Sequence, residues 1–109
     1  MKLKEVLKAD FRDKKQRKLV ISRFSAIPYV AENLENLKQA DEVIRCCEVI
    51  LDEAKFNHGI INYHLTNQSC IMFDRKSKND FVAYSQTMKE LFIKMATYAY
   101  YYRKKKEEQ

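Results

Sequence analysis

The sequence has few of the residues that make turns. It contains one glycine, Gly59, and one proline, Pro28, among 109 residues. An all-β sandwich or barrel has many tight turns, and those turns depend on glycine and proline. A Walker loop and a dinucleotide-binding fingerprint each need several glycines. The sequence therefore excludes these two nucleotide-binding motifs and favours long helices with few connections.

Cysteines and long apolar runs are also scarce. The three cysteines, Cys46, Cys47 and Cys70, are an odd number with two adjacent members, which is a poor disulfide framework. No apolar run approaches the ~20 residues of a membrane span. The first eight residues are charged and lack the apolar core of a secretory leader. We therefore expect a reduced, cytoplasmic protein without a membrane-spanning segment.

The composition is nevertheless that of a folded domain. Apolar residues make up 46% of the chain, which is too large a share for a disordered protein. A chain of this length is typical of one domain. We therefore expect residues 1–109 to form a single domain around one core.

One apolar row in the middle of the chain has the heptad spacing of an amphipathic helix. The row consists of Val30, Leu37, Ile44 and Leu51. It predicts a helix from about residue 26 to 56, with Ser25 as its N-cap and Gly59 just beyond its end. A helix of this length is uncommon, so a break near residues 39–41 is the alternative.

A second apolar stripe, near the end of the chain, is wider. Its two rows are Phe81, Met88, Met95 and Tyr102, and Tyr84, Leu91 and Tyr98. The spacing predicts a helix from about residue 79 to 105, capped by Ser77 or Asp80, and we expect the basic tail 103–109 to fray. A stripe this wide is buried either inside one chain or across a two-fold axis, so a homodimer is one option.

Two other segments are less regular. Apolar residues before and after residues 12–18 have helical spacing, and a single helix there places Lys14 and Lys18 at core-facing positions. Residues 60–73 alternate like strands, but we favour a short helix over a small β-hairpin because the neighbouring segments are helical. The predicted fold is all-α, a small helical bundle with two long amphipathic helices.

No pattern in the sequence predicts a catalytic or metal site. Adjacent Cys46 and Cys47 point about 100° apart on a helix, and no C-x-x-C or H-x-x-x-H spacing occurs. Cys70 with His58 or His64 matches no signature of nucleophilic catalysis. We therefore expect no enzyme activity, no metal and no cofactor, with Cys47 as a small core residue.

Charge is distributed unevenly along the chain, whose net charge is +6. Residues 1–24 hold nine basic and three acidic residues, residues 25–56 hold three and seven, and residues 57–109 hold nine and five. The ends are therefore basic and the middle is acidic. Two interpretations stay open: the basic ends bind a polyanion, or they fold back and neutralise the acidic middle.

Three basic clusters are the candidate binding residues. They are Arg12, Lys14, Lys15, Arg17 and Lys18; Arg75, Lys76 and Lys78; and Arg103 and Lys104 together with Tyr100 and Tyr101. Such clusters bind phosphates without a strict motif, and exposed tyrosines stack on bases. The sequence predicts a small module that binds a nucleic acid or a nucleoprotein complex. The alternative is a protein-only adaptor or inhibitor that uses the tyrosine- and methionine-rich last helix.

Overall fold

Within the described residues, the fold combines five α-helices with a small sheet. The computed structural model describes residues 1–54, 61–64, 69–74, 79–85 and 87–107. The elements are, in chain order, α1 (Leu3–Val6), α2 (Lys14–Ser25), α3 (Pro28–Glu32), a 3-10 turn (Leu34–Asn36), α4 (Ala40–Glu53), β1 (Ile61–His64), β2 (Ser69–Asp74), β3 (Asn79–Tyr84) and α5 (Met88–Glu107). The described part of the chain is mostly helical, which confirms the predicted class of small helical fold.

The N-terminal 25 residues form two helices, α1 and α2, where the sequence predicted one. The interruption spans residues 7–13. Within it, a carboxylate oxygen of Asp10 accepts a hydrogen bond from the backbone N–H of Arg12 at 2.9 Å. Asp13 is the N-cap of α2, and its carboxylate accepts from the backbone N–H of Lys15 at 2.9 Å. These short side chains give the backbone partners other than helical carbonyls, so a helix ends and a new one begins before the basic run.

The helix predicted over residues 26–56 is divided as well. Pro28 is the first residue of α3, so the helix begins there and not after Ser25. Proline is tolerated at this position because the first backbone N–H groups of a helix form no hydrogen bond within the helix. A 3-10 turn follows α3, and α4 starts after the extended residue Gln39. The break near residues 39–41, which was the alternative, is therefore confirmed.

Three antiparallel strands follow in the order β1–β2–β3. His64 pairs with Ser69 across the first two strands, and Ser69 pairs with Tyr84 across the second and third. The short helix favoured for residues 60–73 is therefore wrong, because Ile61–His64 and Ser69–Asp74 are strands. The β-hairpin alternative is present, and a third strand extends it.

The last helix begins later than predicted. The prediction placed its start near residue 79, but Asn79–Tyr84 form β3, so Asp80 lies in a strand and does not cap the helix. Instead the hydroxyl oxygen of Thr87 accepts a hydrogen bond from the backbone N–H of Glu90 at 3.1 Å. Thr87 therefore acts as the N-cap of α5, which runs from Met88 to Glu107.

The core is built around α5. Nine consecutive residues, Leu91–Ala99, are buried. Helices α1, α2 and α4 pack against it. Burial of consecutive helical residues requires cover on every side. The wide apolar stripe is therefore buried within one chain over residues 91–99. That burial removes the reason for which the sequence suggested a homodimer, and the homodimer stays an untested prediction.

Two polar side chains of α5 share this core. Lys94 and Thr97 are 1% and 0% exposed. The Nζ atom of Lys94 lies 5.1 Å from the centre of the Phe11 ring, within the range of a cation–π interaction. The Thr97 hydroxyl donates a hydrogen bond to the carbonyl oxygen of Ile93 at 2.7 Å. Both groups therefore have partners inside the chain.

Candidate functional site

Four basic side chains are exposed in the first turns of α2. We define the α2 basic face as Lys14, Lys15, Arg17 and Lys18, all of which are exposed. The inner side of α2 is set by its buried residues Val20 and Phe24. Because each helical residue advances by about 100°, Lys18 lies almost opposite Val20. The prediction that Lys14 and Lys18 occupy core-facing positions is therefore wrong.

The α2 basic face is not neutralised by the acidic middle of the chain, as far as the described residues show. Within residues 1–54 and 87–105, none of its four side chains forms an ion pair or a hydrogen bond. Helix α2 packs on α5 and α3. The acidic residues of α4 are themselves exposed; they are Asp41, Glu42, Glu48, Asp52 and Glu53. The four cations are therefore open to an external anion.

Arg12 stands apart from this face because Asp10 holds it. The Arg12 guanidinium donates from Nε to Oδ1 of Asp10 at 3.0 Å and from Nη2 to Oδ2 at 3.1 Å. The side-chain hydrogen bond from Arg12 holds the pKa of the Asp10 carboxyl below its usual value, and Asp10 raises the pKa of Arg12. Arg12 was predicted as a binding residue, but its charge is already balanced in the folded chain.

The tyrosines near the end of α5 divide between two sides. Tyr98 is buried and stacks on Tyr102, with ring centres 5.7 Å apart. Tyr100 and Tyr101 are half-buried and meet edge to face at 5.1 Å. Four successive aromatic positions cannot all face one core, and their rings pack on one another instead.

Tyr101 attaches α5 to the end of α2. Its hydroxyl donates a hydrogen bond to the carbonyl oxygen of Arg23 at 2.9 Å, and the Arg23 guanidinium carbon lies 5.7 Å from the centre of the Tyr101 ring. Burial raises the pKa of the Tyr101 hydroxyl. Tyr101 was predicted as a binding residue, and the structure gives it a structural contact between two helices.

A cavity of about 390 Å³ lies between α3, the end of α4 and the last turns of α5. We call it the α3–α5 cavity. Its lining residues are Ile27, Pro28, Tyr29, Ile50, Glu53, Ala54, Tyr100, Arg103 and Lys104. Three residues predicted from the sequence as binding residues, Tyr100, Arg103 and Lys104, are thus brought together at one cavity.

The walls of the α3–α5 cavity are tied to one another. The Nη1 atom of Arg103 donates a hydrogen bond to the carbonyl oxygen of Glu53, which joins α5 to the end of α4. Ile27 and Ile50 are buried and supply apolar surface. Arg103 and Lys104 are exposed. The cavity therefore combines an apolar interior with two cations.

Tyr29 is an exposed aromatic residue in this lining that the sequence did not single out as a binding residue. It is 37% exposed, a large value for an aromatic side chain. It directly follows Pro28 at the start of α3, one position before the buried Val30. The only available signal is that Tyr29 lies beside the heptad row and not on it, which is too general to indicate a site.

A second cavity, of about 230 Å³, lies on the other side of Tyr29. It is lined by Tyr29, Asn33, Asn36, Leu37, Glu42, Arg45 and Cys46. Cys47, the residue after Cys46, is fully buried, as predicted for a core residue. Burial raises the pKa of both thiols, so they stay protonated and are poor nucleophiles.

Other predicted positions fall outside this description. Arg75, Lys76 and Lys78 lie outside the described residues, as does His58. Among the residues that the structure does describe, no group of three histidine, cysteine, aspartate or glutamate side chains is placed to hold a metal ion. In the same residues, no helix combines the length and apolar character needed to cross a membrane.

Comparison with protein-family models, with curated protein sequences and with solved structures found no match to this chain. Every functional statement therefore depends on the geometry and charge of its own residues.

Proposed function

We propose that this chain is a non-enzymatic module that binds nucleic acid, and that the α2 basic face contacts the phosphates. One observation supports this most: four adjacent cations are exposed and form no ion pair within the described residues. Phosphate contacts need no sequence motif, and their free energy comes largely from the release of condensed counterions. Exposed cations without an internal ion pair contribute most to this free energy, because no existing ion pair has to be broken when they contact a phosphate.

The distance between the basic surfaces favours a polymeric anion. Phe11 lies beside Lys94, and Arg23 lies beside Tyr101, so α2 runs alongside α5 in the same direction. Lys18 is five residues before Arg23, about 7.5 Å along the helix, and Lys104 is three residues after Tyr101, about 4.5 Å. The α2 basic face and the cations of α5 are therefore separated by more than about 10 Å. A nucleic-acid backbone is long enough to contact both surfaces at once.

The experiment compares two variants with the same change in charge. The first changes all four residues of the α2 basic face to Gln. The control changes Lys4, Lys8, Lys38 and Lys89 to Gln; these are exposed and lie outside α2. Binding of a fluorescently labelled oligonucleotide is measured by anisotropy, and thermal unfolding is followed by circular dichroism. We expect the first variant to lose affinity, the control to lose much less, and both to unfold near the wild-type temperature.

Two results would contradict the proposal. If both variants lost affinity equally, net charge and not the α2 basic face would govern binding. If the first variant kept its affinity but unfolded at a lower temperature, its lysines would serve the internal neutralisation that the sequence left open. Exposed ion pairs contribute only ~0–1 kcal/mol each, so that loss of stability would be modest.

A protein-only adaptor is the second candidate function. The α3–α5 cavity favours it, because buried apolar side chains beside an exposed tyrosine suit a protein anchor. Met95 is buried, so it is not part of such a surface. A defined partner that stays bound after nuclease treatment and is lost with Tyr100→Ala would support this function in place of nucleic-acid binding.

A further inference from the structure

The residues that line the α3–α5 cavity suit a planar aromatic ring with a negatively charged group attached to it. Tyr29 and Tyr100 lie on two different helices and line the same space. Arg103 and Lys104, at the exposed end of α5, line it as well. A volume of about 390 Å³ is within the range of small-molecule sites, which is roughly 300–1,000 Å³. The cavity can therefore hold a planar group with an anion beside it.

We propose that the α3–α5 cavity receives one unstacked base of a single-stranded nucleic acid. This inference depends on the proposed function and specifies its substrate class. The base packs against the rings of Tyr29 and Tyr100, and the adjoining phosphates contact Arg103 and Lys104. Stacking of a base on an aromatic side chain accepts every base, because every base has a π-face.

The charges around the cavity orient the nucleotide. Glu53 contributes the carboxylate among the lining residues, at the end of α4. A carboxylate repels phosphate but accepts hydrogen bonds from base amino groups. Arg103 and Lys104 are exposed, whereas Ile27 and Ile50 are buried in the cavity interior. The base therefore enters the apolar interior, and the phosphates stay beside the two exposed cations.

The same geometry selects single strands over duplexes. A base inside a duplex is stacked on both faces and paired at its edge, so it cannot enter a cavity without leaving the helix. A single strand has no such cost. The α2 basic face lies further along the molecule and can bind phosphates several nucleotides away, which lengthens the contact without a second base site.

The test measures the affinity of a labelled 12-nucleotide single strand and of the same sequence as a duplex. Tyr29→Ala and Tyr100→Ala remove the two rings one at a time, and Tyr100→Phe keeps a ring. The matched control is Tyr102→Ala, since Tyr102 is 38% exposed on the same helix but does not line the cavity. Circular dichroism confirms that each variant folds, and Tyr29, being exposed, provides a variant with little effect on packing.

We expect each Tyr→Ala change in the cavity to weaken single-strand binding by about 5- to 150-fold, the range for loss of one base–aromatic stack. Tyr100→Phe and Tyr102→Ala should bind as the wild type does, and the duplex affinity should be the same in all variants. Equal losses for Tyr102→Ala, or equal losses on the duplex, would overturn the base site.

The outcomes also separate this inference from the proposed function. If the α2 variant loses affinity but the cavity variants bind normally, the base site is wrong and the phosphate surface stands. If the wild-type chain binds neither single strand nor duplex, both proposals are wrong. Binding of a protein partner at Tyr29 and Tyr100, with no effect of these changes on nucleic acid, would assign the cavity to the adaptor function and overturn the base site.

Discussion

Helices α2 and α5 are both basic, yet they place their side chains in opposite ways. Of the twelve residues of α2, only Val20 and Phe24 are buried. In α5 the nine residues Leu91–Ala99 are all buried, and the exposed cations lie at its two ends, Lys89 before this stretch and residues 103–105 after it. The two helices lie side by side. One therefore forms the interior of the molecule, and the other carries charge on its surface.

This difference separates stability from binding. A helix that is covered on every side contributes most of the apolar burial, so changes to α5 act on folding. A helix with a narrow buried side can change its outer residues without disturbing the core. We therefore expect changes in α5 to shift the free energy of unfolding and changes on the outer side of α2 to shift affinity.

The largest expected effect is truncation of the α5 core. Leu91 is fully buried, so Leu91→Ala should lower the free energy of unfolding by roughly 2–5 kcal/mol, because it removes apolar contacts and leaves a cavity. Leu51, fully buried on α4, should behave alike. The control is Leu19→Ala on α2, where Leu19 is 40% exposed and the change should stay within about 0.5 kcal/mol. If urea denaturation gave similar changes in the free energy of unfolding for Leu91→Ala and Leu19→Ala, the contrast between α5 and α2 would be wrong.

The second prediction concerns the contact that joins these helices. Tyr101→Phe removes the hydroxyl that donates to the Arg23 carbonyl but keeps the ring. Loss of one such hydrogen bond should lower the free energy of unfolding by about 0.5–1.5 kcal/mol. Nucleic-acid affinity should not change, since Tyr101 lies outside the lining of the α3–α5 cavity. A loss of affinity without loss of stability would mean that Tyr101 contacts the ligand directly.

Helical periodicity predicted the buried helices better than it predicted where they begin. The stripe through Leu91, Met95 and Tyr98 is real and buried. Its extension to Phe81 and Tyr84 is wrong, because these residues belong to β3. Strand formation here depends on hydrogen bonds to the neighbouring strand, and a heptad count along one segment contains no information about such pairing.

The candidate site was predicted in part. The α2 basic face was visible as a dense run of charge, and its exposure follows from the cap at Asp13 that starts α2 at Lys14. The pairing of Arg12 with Asp10 was not predicted, because it depends on a turn and not on spacing. Tyr29 could not be found, since only the folded chain brings it to the same cavity as Tyr100.

The smallest expected effect is at the cap of α2. Hydrogen bonds from the Gln16 side chain and the Lys15 backbone hold the pKa of Asp13 below its usual value. Its ionised carboxylate therefore stabilises the fold above the ordinary aspartate pKa, and this stabilisation is lost as the pH falls below it. Asp13→Asn keeps a cap that does not titrate.

Thermal unfolding at pH 7 and at pH 3 checks this effect. At pH 7, Asp13→Ala should unfold at a slightly lower temperature than the wild type and Asp13→Asn. At pH 3, any advantage that the wild type has over Asp13→Asn at pH 7 should be smaller. An advantage that stayed constant with pH would contradict the role of the carboxylate as the cap.

The most direct test of the account is the salt dependence of single-strand binding. The logarithm of the association constant is measured against the logarithm of salt concentration for the wild type, the Gln variant of the α2 basic face and the charge-matched control. Each phosphate contact contributes about 0.7 to this slope for a single strand. If all four side chains contact phosphates, the variant should have a slope smaller by about 3, and the control a slope close to the wild type. Equal slopes for all three proteins would contradict the assignment of the α2 basic face as the phosphate-binding surface.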